Sequence, residues 1–519
     1  MHIVILGNGI AGITCARHIR KRSNHRITVI SGETEHFFSR TALMYIYMGH
    51  MTYDHIKPYE DHFWAKNRID LVRAWISRVD PAAGKLTASD GREFAYDKLV
   101  IASGSISNRF GWPGQDLPGV QGLYSYQDLE LLEENTRAAG GGGGNGGASA
   151  GGGASSGGGA SASSGNGGNG GNGGGSGGGA GASARSHASN GRPATSASAS
   201  SHASNGRPAT SVERAVIVGG GLIGIELAEM LMSRQISVTV LVRESSYWNN
   251  ALAVRESELV TQYIRSHGLD LRLETGLKEI QAGANGRVAA IVTDKGETIA
   301  CQLVGLTAGV APNIGFLEGS GIETNRGVLV SRAFETNWPD IYAVGDCAEF
   351  REALPGRRSV EQVWYTGREH GVVLAETLCG QRKEYAPGPW FNSAKFLDLE
   401  WHTYGDVPPT PLPDQASLYW ENTSGQQAVH LVYRASDGRF LGINSLGIRY
   451  RHLVFDRFLR DSRNIDYVLE NLAAANFDPE FYRAWEPDIL ETYNRQTGKN
   501  LRLKQRKGLR AVLNLIKPA

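Results

Sequence analysis

Two short glycine-rich segments hold the residues whose spacing most clearly predicts chemistry. The sequence GNGIAG spans residues 7–12 and GGGLIG spans residues 219–224. In a turn of this kind, the first glycine makes the bend, the second lets a pyrophosphate approach the backbone, and the third lets the helix pack on its strand. Each segment follows an apolar strand pattern and opens a helical one, so the sequence predicts two dinucleotide sites. The spaced glycines are Gly7, Gly9, Gly12, Gly219, Gly221 and Gly224.

Charged residues follow the second strand of each unit, where the ribose of a dinucleotide is held. The strand predicted at residues 26–31 is followed by Glu33, a residue or two later than usual. The strand predicted at residues 237–242 is followed by Arg243 and Glu244. An acid there favours NADH and an arginine accommodates the extra phosphate of NADPH, so this choice stays open. Two dinucleotides in one chain favour electron transfer from a nicotinamide to a flavin.

Further elements must bring distant parts of the chain to these turns. The patterns predict a helix at residues 13–21, a small antiparallel sheet at about 75–95, and strands at 96–104 and 340–344. The first of these strands ends in Ser103 and Gly104, and the second runs into Gly345 and Asp346. A carboxylate at that second turn can accept hydrogen bonds from the polyhydroxyl chain of a flavin.

The composition of the whole chain excludes several classes of protein. Its 519 residues suffice for about three domains, and 41% hydrophobic and 20% charged residues are ordinary for a globular protein. A net charge of +1 gives no general attraction to nucleic acid. The four cysteines are too widely spaced for a disulfide framework, a dithiol centre or a metal site. No apolar run is long enough for a membrane span, and a strand beginning at His2 leaves no room for a signal sequence, so we expect a cytoplasmic protein.

Four motifs in this order resemble those of the FAD-dependent pyridine-nucleotide oxidoreductases: the two glycine turns, the strand ending in Ser103 and Gly104, and IYAVGDCAE at residues 341–349. The resemblance implies an α/β fold with two Rossmann-like dinucleotide-binding domains, the NAD(P)H domain inserted in the FAD domain, and an α+β C-terminal domain. The predicted boundaries are 1–126 and 323–383 for the two parts of the FAD domain, 212–322 for the NAD(P)H domain, and 384–519 for the C-terminal domain.

The same resemblance assigns roles to individual residues. The glycines of the first turn would meet the pyrophosphate of FAD, with Glu33 on its ribose, and those of the second turn would face the pyrophosphate of NAD(P)H. Asp346 would bind the ribityl or phosphate portion of the flavin. A helix beginning within residues 360–365 would point its N-terminus toward the flavin and stabilise negative charge on the reduced ring. The other cofactor-binding candidates are Ser39, Arg40, Ser103, Gly104, Arg243, Glu244, Gly345 and Trp364.

Two positions depart from branches of that family. The disulfide reductases carry a Cys-x4-Cys pair around residues 39–45, where this chain has no cysteine, so we expect no redox-active disulfide. Cys15, on the first predicted helix, is expected to be a small buried residue. Ferredoxin and rubredoxin reductases pair a lysine with an acid near the flavin, and Tyr45 stands about where that lysine would be. Glu226 sits where relatives place an acid near the nicotinamide, an exposed helix charge being the alternative, so Glu226 and Tyr45 are the catalytic candidates.

The C-terminal third favours the ferredoxin- and rubredoxin-reductase branch. GPWFNSAKF at residues 388–396 and the strand pattern at 440–444 resemble the C-terminal domain of those enzymes, with a core position for Trp390 and Phe391 as the alternative. We therefore predict hydride transfer from NAD(P)H to FAD and then electron transfer to an acceptor, a small iron–sulfur protein. No nucleic acid partner is expected.

Two other functions stay open. The tail at residues 501–513 is basic with interleaved apolar residues, which is typical of a solvated helix and also of a membrane-surface helix that a peripheral NAD(P)H:quinone reductase would use. A flavin-bearing NAD(P)H sensor or scaffold is compatible with the missing cysteine pair and lysine.

The Gly/Ser/Ala-rich stretch at residues 138–211 has no apolar surface to offset its ordering entropy, so we expect a disordered insert that acts as a tether or as an expanded surface loop.

Overall fold

The computed structural model describes residues 1–137, 212–478 and 483–504. The first range contains β1 (His2–Leu6), α1 (Ile10–Arg22), β2 (Arg26–Ser31), α2 (Leu43–Tyr47), α3 (His62–Lys66), β3 (Ile69–Arg73), β4 (Ile76–Asp80), β5 (Lys85–Ala88), β6 (Glu93–Ala95), β7 (Lys98–Ile101), β8 (Ser105–Ser107), β9 (Val120–Gln121) and α4 (Tyr126–Asn135). Residues 212–380 contain β10 (Arg214–Val218), α5 (Leu222–Ser233), β11 (Ser237–Leu241), α6 (Val254–Ser266), β12 (Asp270–Arg272), β13 (Leu277–Ala282), β14 (Val288–Thr293), β15 (Thr298–Ala300), β16 (Leu303–Leu306), β17 (Val310–Pro312), β18 (Val328–Val330), β19 (Ile341–Ala343), β20 (Ala348–Phe350) and α7 (Trp364–Leu378). The remainder contains β21 (Phe391–Phe396), β22 (Leu399–Gly405), β23 (Gln415–Glu421), β24 (Ala428–Arg434), β25 (Phe440–Leu446), α8 (His452–Arg460), α9 (Ile465–Glu470) and α10 (Glu486–Thr497).

The first sheet gathers strands from both ends of this order. Its five parallel strands run β19-β7-β1-β2-β3. Ile3, Val4 and Ile5 of β1 are fully buried, as expected for a parallel strand covered on both faces. Helix α1 packs against α7. Because the strands are parallel, the first glycine turn and the turns that follow β7 and β19 all lie at the carboxyl edge of one sheet.

The second sheet repeats this arrangement. Its five parallel strands run β12-β11-β10-β16-β9, and a separate antiparallel sheet, β13-β14-β15, lies between β12 and β16 in the chain. The second glycine turn and Arg243 lie at its carboxyl edge, after β10 and β11. These two parallel sheets with their helices confirm the predicted α/β fold of Rossmann-like units, whereas the domain boundaries stay predictions.

The third large sheet is antiparallel, with strand order β21-β22-β25-β24-β23. Phe455 and Phe458 of α8 and Tyr493 of α10 are buried in the core beside it. The small antiparallel sheet predicted near residues 75–95 is formed by β4, β5 and β6.

Helix α7 begins later than the start of its predicted pattern. Residues 360–363 precede the helix, and Val363 is its N-cap. The backbone of Val363 is extended (φ −134°, ψ 133°), and its carbonyl is the first acceptor of the helix, bonded by the Gly367 N–H at 2.9 Å. Trp364 is therefore the first helical residue.

Two predicted segments fall wholly or largely outside the described residues: the Gly/Ser/Ala-rich insert at 138–211 and the basic tail from residue 505. The described beginning of the tail contributes Leu501 and Leu503 to the core around α8 and α10. Among the helices in the described ranges, none has the length and apolar character needed to cross a bilayer.

Candidate functional site

The first glycine turn is held by the protein's own packing at two of its three glycines. Gly7 has φ +109°, and its N–H donates to the Ile30 carbonyl at 2.8 Å. A Cβ at Gly7 would lie 2.1 Å from the Ala102 carbonyl oxygen, and one at Gly12 would lie 2.2 Å from the Gly7 carbonyl oxygen. These two positions therefore require glycine to let the turn, the strand and the helix meet.

Gly9 is different, because nothing in the described chain requires a glycine there. Its φ of −71° is open to any residue, and no heavy atom lies within 4 Å of an added Cβ. Gly9 is also the N-cap of α1 and provides no side-chain cap for the free N–H groups of that helix. The turn thus leaves room beside unsatisfied donors at the positive end of a helix dipole, which is a cradle for an anion such as a pyrophosphate.

The second turn has the same division. Gly219 has φ +128°, and its Cβ would lie 2.6 Å from the Thr307 carbonyl oxygen; that of Gly224 would lie 2.5 Å from the Gly219 carbonyl oxygen. Gly221, the N-cap of α5, again has no heavy atom within 4 Å of an added Cβ. Both cradles fit the pyrophosphate of a dinucleotide.

Glu33 and Arg40 form a clamp beside the first turn. Arg40 Nη1 donates to Glu33 Oε1 at 2.7 Å, and Nη2 donates to Oε2 at 2.6 Å. The backbone N–H of Tyr126 also donates to Oε1, at 2.8 Å. The predicted ribose acid is therefore fixed by a two-point ion pair, and its role at the ribose stays a prediction.

Tyr124 connects this clamp with Asp346. Its carbonyl accepts a hydrogen bond from Arg40 Nη1 at 2.6 Å, and its ring lies 4.7 Å from the guanidinium. Its hydroxyl donates to Asp346 Oδ2 at 3.2 Å, where the Ser105 hydroxyl also donates, at 3.1 Å. Burial raises the pKa of the Asp346 carboxyl, and these two hydrogen bonds act in the opposite direction. Within the described residues Oδ1 accepts no hydrogen bond, so Asp346 retains an acceptor for a ligand hydroxyl.

The remaining candidates of the first unit surround the same carboxyl edge. Ser103 donates its hydroxyl to the Asn313 carbonyl at 2.7 Å, and the Gly104 carbonyl accepts the Asn313 N–H at 2.9 Å. Ser39 is half-buried, and its hydroxyl lies 3.3 Å from that of Thr41. The structure thus brings Ser103 and Gly104 to the sheet edge as supports of the backbone.

Two further candidates, Gly345 and Trp364, lie just after β19 and at the start of α7. The Gly345 N–H donates to Nδ1 of His370 at 3.2 Å, and burial lowers the pKa of His370 to about 3, so its ring stays neutral and accepts this bond. Trp364 is 40% exposed, and its ring contacts that of Tyr365 edge-on at 5.2 Å between centroids.

The second turn is followed by the charged pair predicted from the sequence. Val242 is buried and lies against Gly220, where an added Cβ would be 2.8 Å from it. Arg243 is exposed and Glu244 is half-buried. In the described part of the chain neither side chain has a hydrogen bond or an ion pair, so the choice between NADH and NADPH stays open.

Tyr247 stabilises the backbone of the second glycine turn. Its ring is fully buried, and its hydroxyl donates to the Gly221 carbonyl at 2.8 Å. It also packs edge-on against Phe396 of β21, 6.2 Å away. The antiparallel C-terminal sheet thereby supports the backbone of the second cradle.

Glu226 lies on α5, one turn beyond the second cradle. Burial, with a smaller contribution from Glu229, raises the pKa of its carboxyl to about 7. It is half-buried and makes no hydrogen bond or ion pair within the described residues. Helix α2, which carries the half-buried Tyr45, packs against α5. The two catalytic candidates therefore lie on adjoining helices, and their roles stay predictions.

The aromatic segment of the C-terminal domain is half-buried. Phe391 packs against Tyr365 of α7 (4.6 Å) and Tyr404 of β22 (5.1 Å). Trp390 lies under the guanidinium of Arg357, 4.5 Å away. Phe391 thus joins the C-terminal sheet to α7, in keeping with the alternative that it is a core residue.

Sequence reasoning missed four residues that hold the site: Tyr124, Ser105, Tyr247 and His370. Tyr124 is 84 residues from Arg40 and 222 residues from Asp346, and no local motif relates them. The serine two positions after the Ser103 turn could have drawn attention by its place at the sheet edge.

Comparison with known proteins agrees with this geometry. The family described as pyridine nucleotide-disulphide oxidoreductase matches residues 1–158 and 179–371. A relative from a Sphingobium species, the ferredoxin reductase subunit of 5,5'-dehydrodivanillate O-demethylase, is 25% identical over 407 residues, which are 78% of this chain and 81% of that protein. The rubredoxin-NAD(+) reductase of Pseudomonas putida is 24% identical over 396 residues, 76% of this chain and 84% of that protein.

A solved structure shares the fold. The ferredoxin reductase for the CYP199A2 system from Rhodopseudomonas palustris superposes with a TM-score of 0.65 at 19% identity, covering 86% of this chain and 91% of that chain.

Proposed function

The chain belongs to the pyridine nucleotide-disulphide oxidoreductase family, and we propose that it passes electrons from NAD(P)H through FAD to a small iron–sulfur protein. It is an oxidoreductase that uses FAD and NAD(P)H. When bound, FAD accepts a hydride from NAD(P)H and releases the electrons to an acceptor. The observation that carries the proposal is the pair of open cradles at Gly9 and Gly221, each at the start of a helix that follows a parallel strand.

The residues of the first unit bind and orient the flavin nucleotide in this proposal. The cradle at Gly9 takes the pyrophosphate of FAD, and the clamped carboxylate of Glu33 lies where a ribose can bond to its remaining lone pairs. The free Oδ1 of Asp346 would accept a hydrogen bond from a hydroxyl of the ribityl chain. The cradle at Gly221 would take the pyrophosphate of NAD(P)H, and Arg243 and Glu244, which follow β11, would contact its adenosine.

Glu226 and Tyr45 contribute polar groups where α5 and α2 adjoin. Below a pH of about 7 the Glu226 carboxyl is neutral, so it adds no negative charge beside a ring that gains charge on reduction. A lysine paired with this acid would hold it ionised, and the tyrosine at position 45 does not. Hydride transfer itself requires no protein acid or base, so Glu226 and Tyr45 contribute to the reaction through positioning and electrostatics.

The four cysteines, Cys15, Cys301, Cys347 and Cys379, are all free, and Cys15 is fully buried. Electrons therefore do not leave through a protein disulfide. The names of the relatives, ferredoxin reductase subunit and rubredoxin-NAD(+) reductase, support an iron–sulfur or rubredoxin-type acceptor for this chain as well. Free thiols also support a reducing compartment, and we place the protein in the cytoplasm.

The acceptor is tested by following anaerobic NAD(P)H-dependent reduction of a plant-type ferredoxin, a rubredoxin and a soluble quinone by the holoenzyme. We expect reduction of one iron–sulfur protein or rubredoxin at rates well above that of the quinone. Faster turnover with the quinone would replace the proposal by a quinone reductase. Flavin reduction without turnover with any acceptor would favour a sensor.

A further inference from the structure

Trp75 is an exposed aromatic residue in the first unit that the site described above does not use. It lies between β3 and β4 and is 57% exposed. Its neighbour Ala74 belongs to the core around the first sheet and Ile76 packs against that core, whereas Trp75 does neither. No aromatic ring or cation of the described residues packs against its indole. The core therefore gives no reason for a large aromatic side chain at this position.

One face of the indole rests on Gly32. A Cβ at Gly32 would lie 2.1 Å from Cδ2, 2.5 Å from Cε2 and 2.6 Å from Cε3 of Trp75. Cδ2 and Cε2 are the atoms of the ring fusion, so the contact is with the face of the indole and not with its edge. Gly32 has no positive φ that would call for glycine, so the residue there is small in order to admit this ring.

The contact lies at the end of the site where the adenosine of a dinucleotide belongs. Gly32 follows β2 directly and precedes Glu33, the candidate ribose acid. Ser31 of β2 pairs with Arg73 of β3, so Trp75 is brought to the same carboxyl edge. The Gly7 N–H bonds to Ile30 near the end of β2, which places the pyrophosphate cradle at this edge too. A dinucleotide that runs from the cradle past Glu33 carries its adenine toward Trp75.

We infer that Trp75 is a stacking platform for the adenine of FAD, with Gly32 supporting one face of the indole and the adenine covering the other. Base–aromatic stacking needs a fixed, accessible ring face, and the Gly32 contact supplies both conditions. This contact selects an adenine dinucleotide over a flavin mononucleotide, which lacks the base. The inference rests on the proposed placement of FAD on the first glycine turn.

The test is a titration of the apoprotein with FAD and, separately, with FMN. For Trp75→Ala we expect the FAD dissociation constant to rise roughly tenfold, the size of a lost base–aromatic stack, with no change for FMN. Trp75→Phe keeps a ring face and is expected to stay within about threefold of the wild type. Phe110→Ala removes another exposed aromatic side chain, 60% exposed and away from Gly32, and is the matched control. The visible spectrum of FAD bound to Trp75→Ala should equal that of the wild type, because the isoalloxazine site is untouched.

Unchanged FAD affinity in Trp75→Ala would overturn the inference, and so would an altered flavin spectrum or an equal loss of FMN affinity. These outcomes leave the proposed function intact. Failure of the wild-type protein to bind FAD at all would instead contradict the proposed function and remove the basis of the inference with it.

Discussion

Gly7 and Gly9 lie two residues apart in one turn, yet the reasons for a glycine at the two positions differ. Gly7 is fixed by its φ of +109° and by the Ala102 carbonyl oxygen, 2.1 Å from where its Cβ would be. Gly9 has an ordinary φ and open space around it. Gly7 thus serves folding and Gly9 serves binding, and substitution can separate the two roles.

Gly9→Ala is expected to leave the stability of the apoprotein within about 1 kcal/mol of the wild type, because alanine restricts the unfolded chain but is a poorer N-cap than glycine. Its methyl group occupies the cradle, so FAD affinity should fall at least about tenfold. Gly7→Ala is the matched variant, and it should destabilise the protein through its strained φ and the clash with Ala102. Urea unfolding of the apoproteins and FAD titration measure both effects. Wild-type FAD affinity in Gly9→Ala would contradict the claim that the space beside Gly9 binds the pyrophosphate of FAD.

Glu226 makes stability depend on pH in a defined window. Its pKa is about 7 in the folded protein against an ordinary 4.5, so the folded state holds this proton to higher pH than the unfolded chain does. The contribution of Glu226 to the free energy of unfolding therefore falls as the pH rises from about 4.5 to about 7, and it no longer changes with pH above about 7. Glu226→Gln should gain stability relative to the wild type across that window and show a constant difference beyond it. Denaturant unfolding at a series of pH values checks this, and a pH-independent difference would refute the raised pKa.

The sequence predicted the glycines because their spacing is local, and it missed Tyr124 and Tyr247 because their roles are not. Each tyrosine works through a hydrogen bond that exists only once the sheets have formed: Tyr124 to Asp346, and Tyr247 to Gly221. The burial that raises the pKa of Glu226 is likewise a property of packed helices, so the sequence left an acid near the nicotinamide and an exposed helix charge as alternatives.

At the scale of elements, Arg40 holds the segment that follows β2 against the segment that leads into α4. Its guanidinium bonds both oxygens of Glu33 and the Tyr124 carbonyl, so one side chain joins the end of β2 to the segment that leads into α4. The planar fork of arginine can make all three bonds at once, whereas a lysine ammonium is a single point donor.

Arg40→Lys should therefore lower the free energy of unfolding by about 1–3 kcal/mol, the range for hydrogen bonds to charged groups, and weaken FAD binding. Arg92→Lys is the control, because its ion pair with Asp90 is half exposed on both sides, so we expect a much smaller loss of stability than in Arg40→Lys. Equal stability losses in the two variants would show that the clamp has no special role.

Element types were more predictable than element ends. Strand β2 has the predicted bounds, and α1 extends the predicted helix to Ile10–Arg22 because the glycine turn feeds directly into it. β11 ends at Leu241, one residue early, and α7 begins only at Trp364. Such ends depend on which carbonyl first finds a partner, and periodicity does not specify that.

At the scale of the whole molecule, distant segments complete each other's sites. β19 joins the sheet that β1 begins, which brings Asp346 beside Tyr124. The C-terminal sheet meets the second unit through a buried pair, His430 Nδ1 to Glu256 Oε2 at 3.0 Å. Family resemblance predicted that the segment with Asp346 returns to the FAD-binding unit, but not its contact with Tyr124. The pair of His430 and Glu256 joins residues 174 positions apart that belong to no motif, so the sequence could not indicate it.

The central claim is that NAD(P)H held on the second turn reduces FAD held on the first. Anaerobic stopped-flow mixing of the holoenzyme with NADH and with NADPH, followed at the flavin absorbance, tests it most directly. The account predicts rapid bleaching by at least one nucleotide and much slower bleaching in Gly221→Ala, whose methyl group fills the second cradle. A preparation that holds no flavin, or a flavin that neither nucleotide reduces, would contradict it.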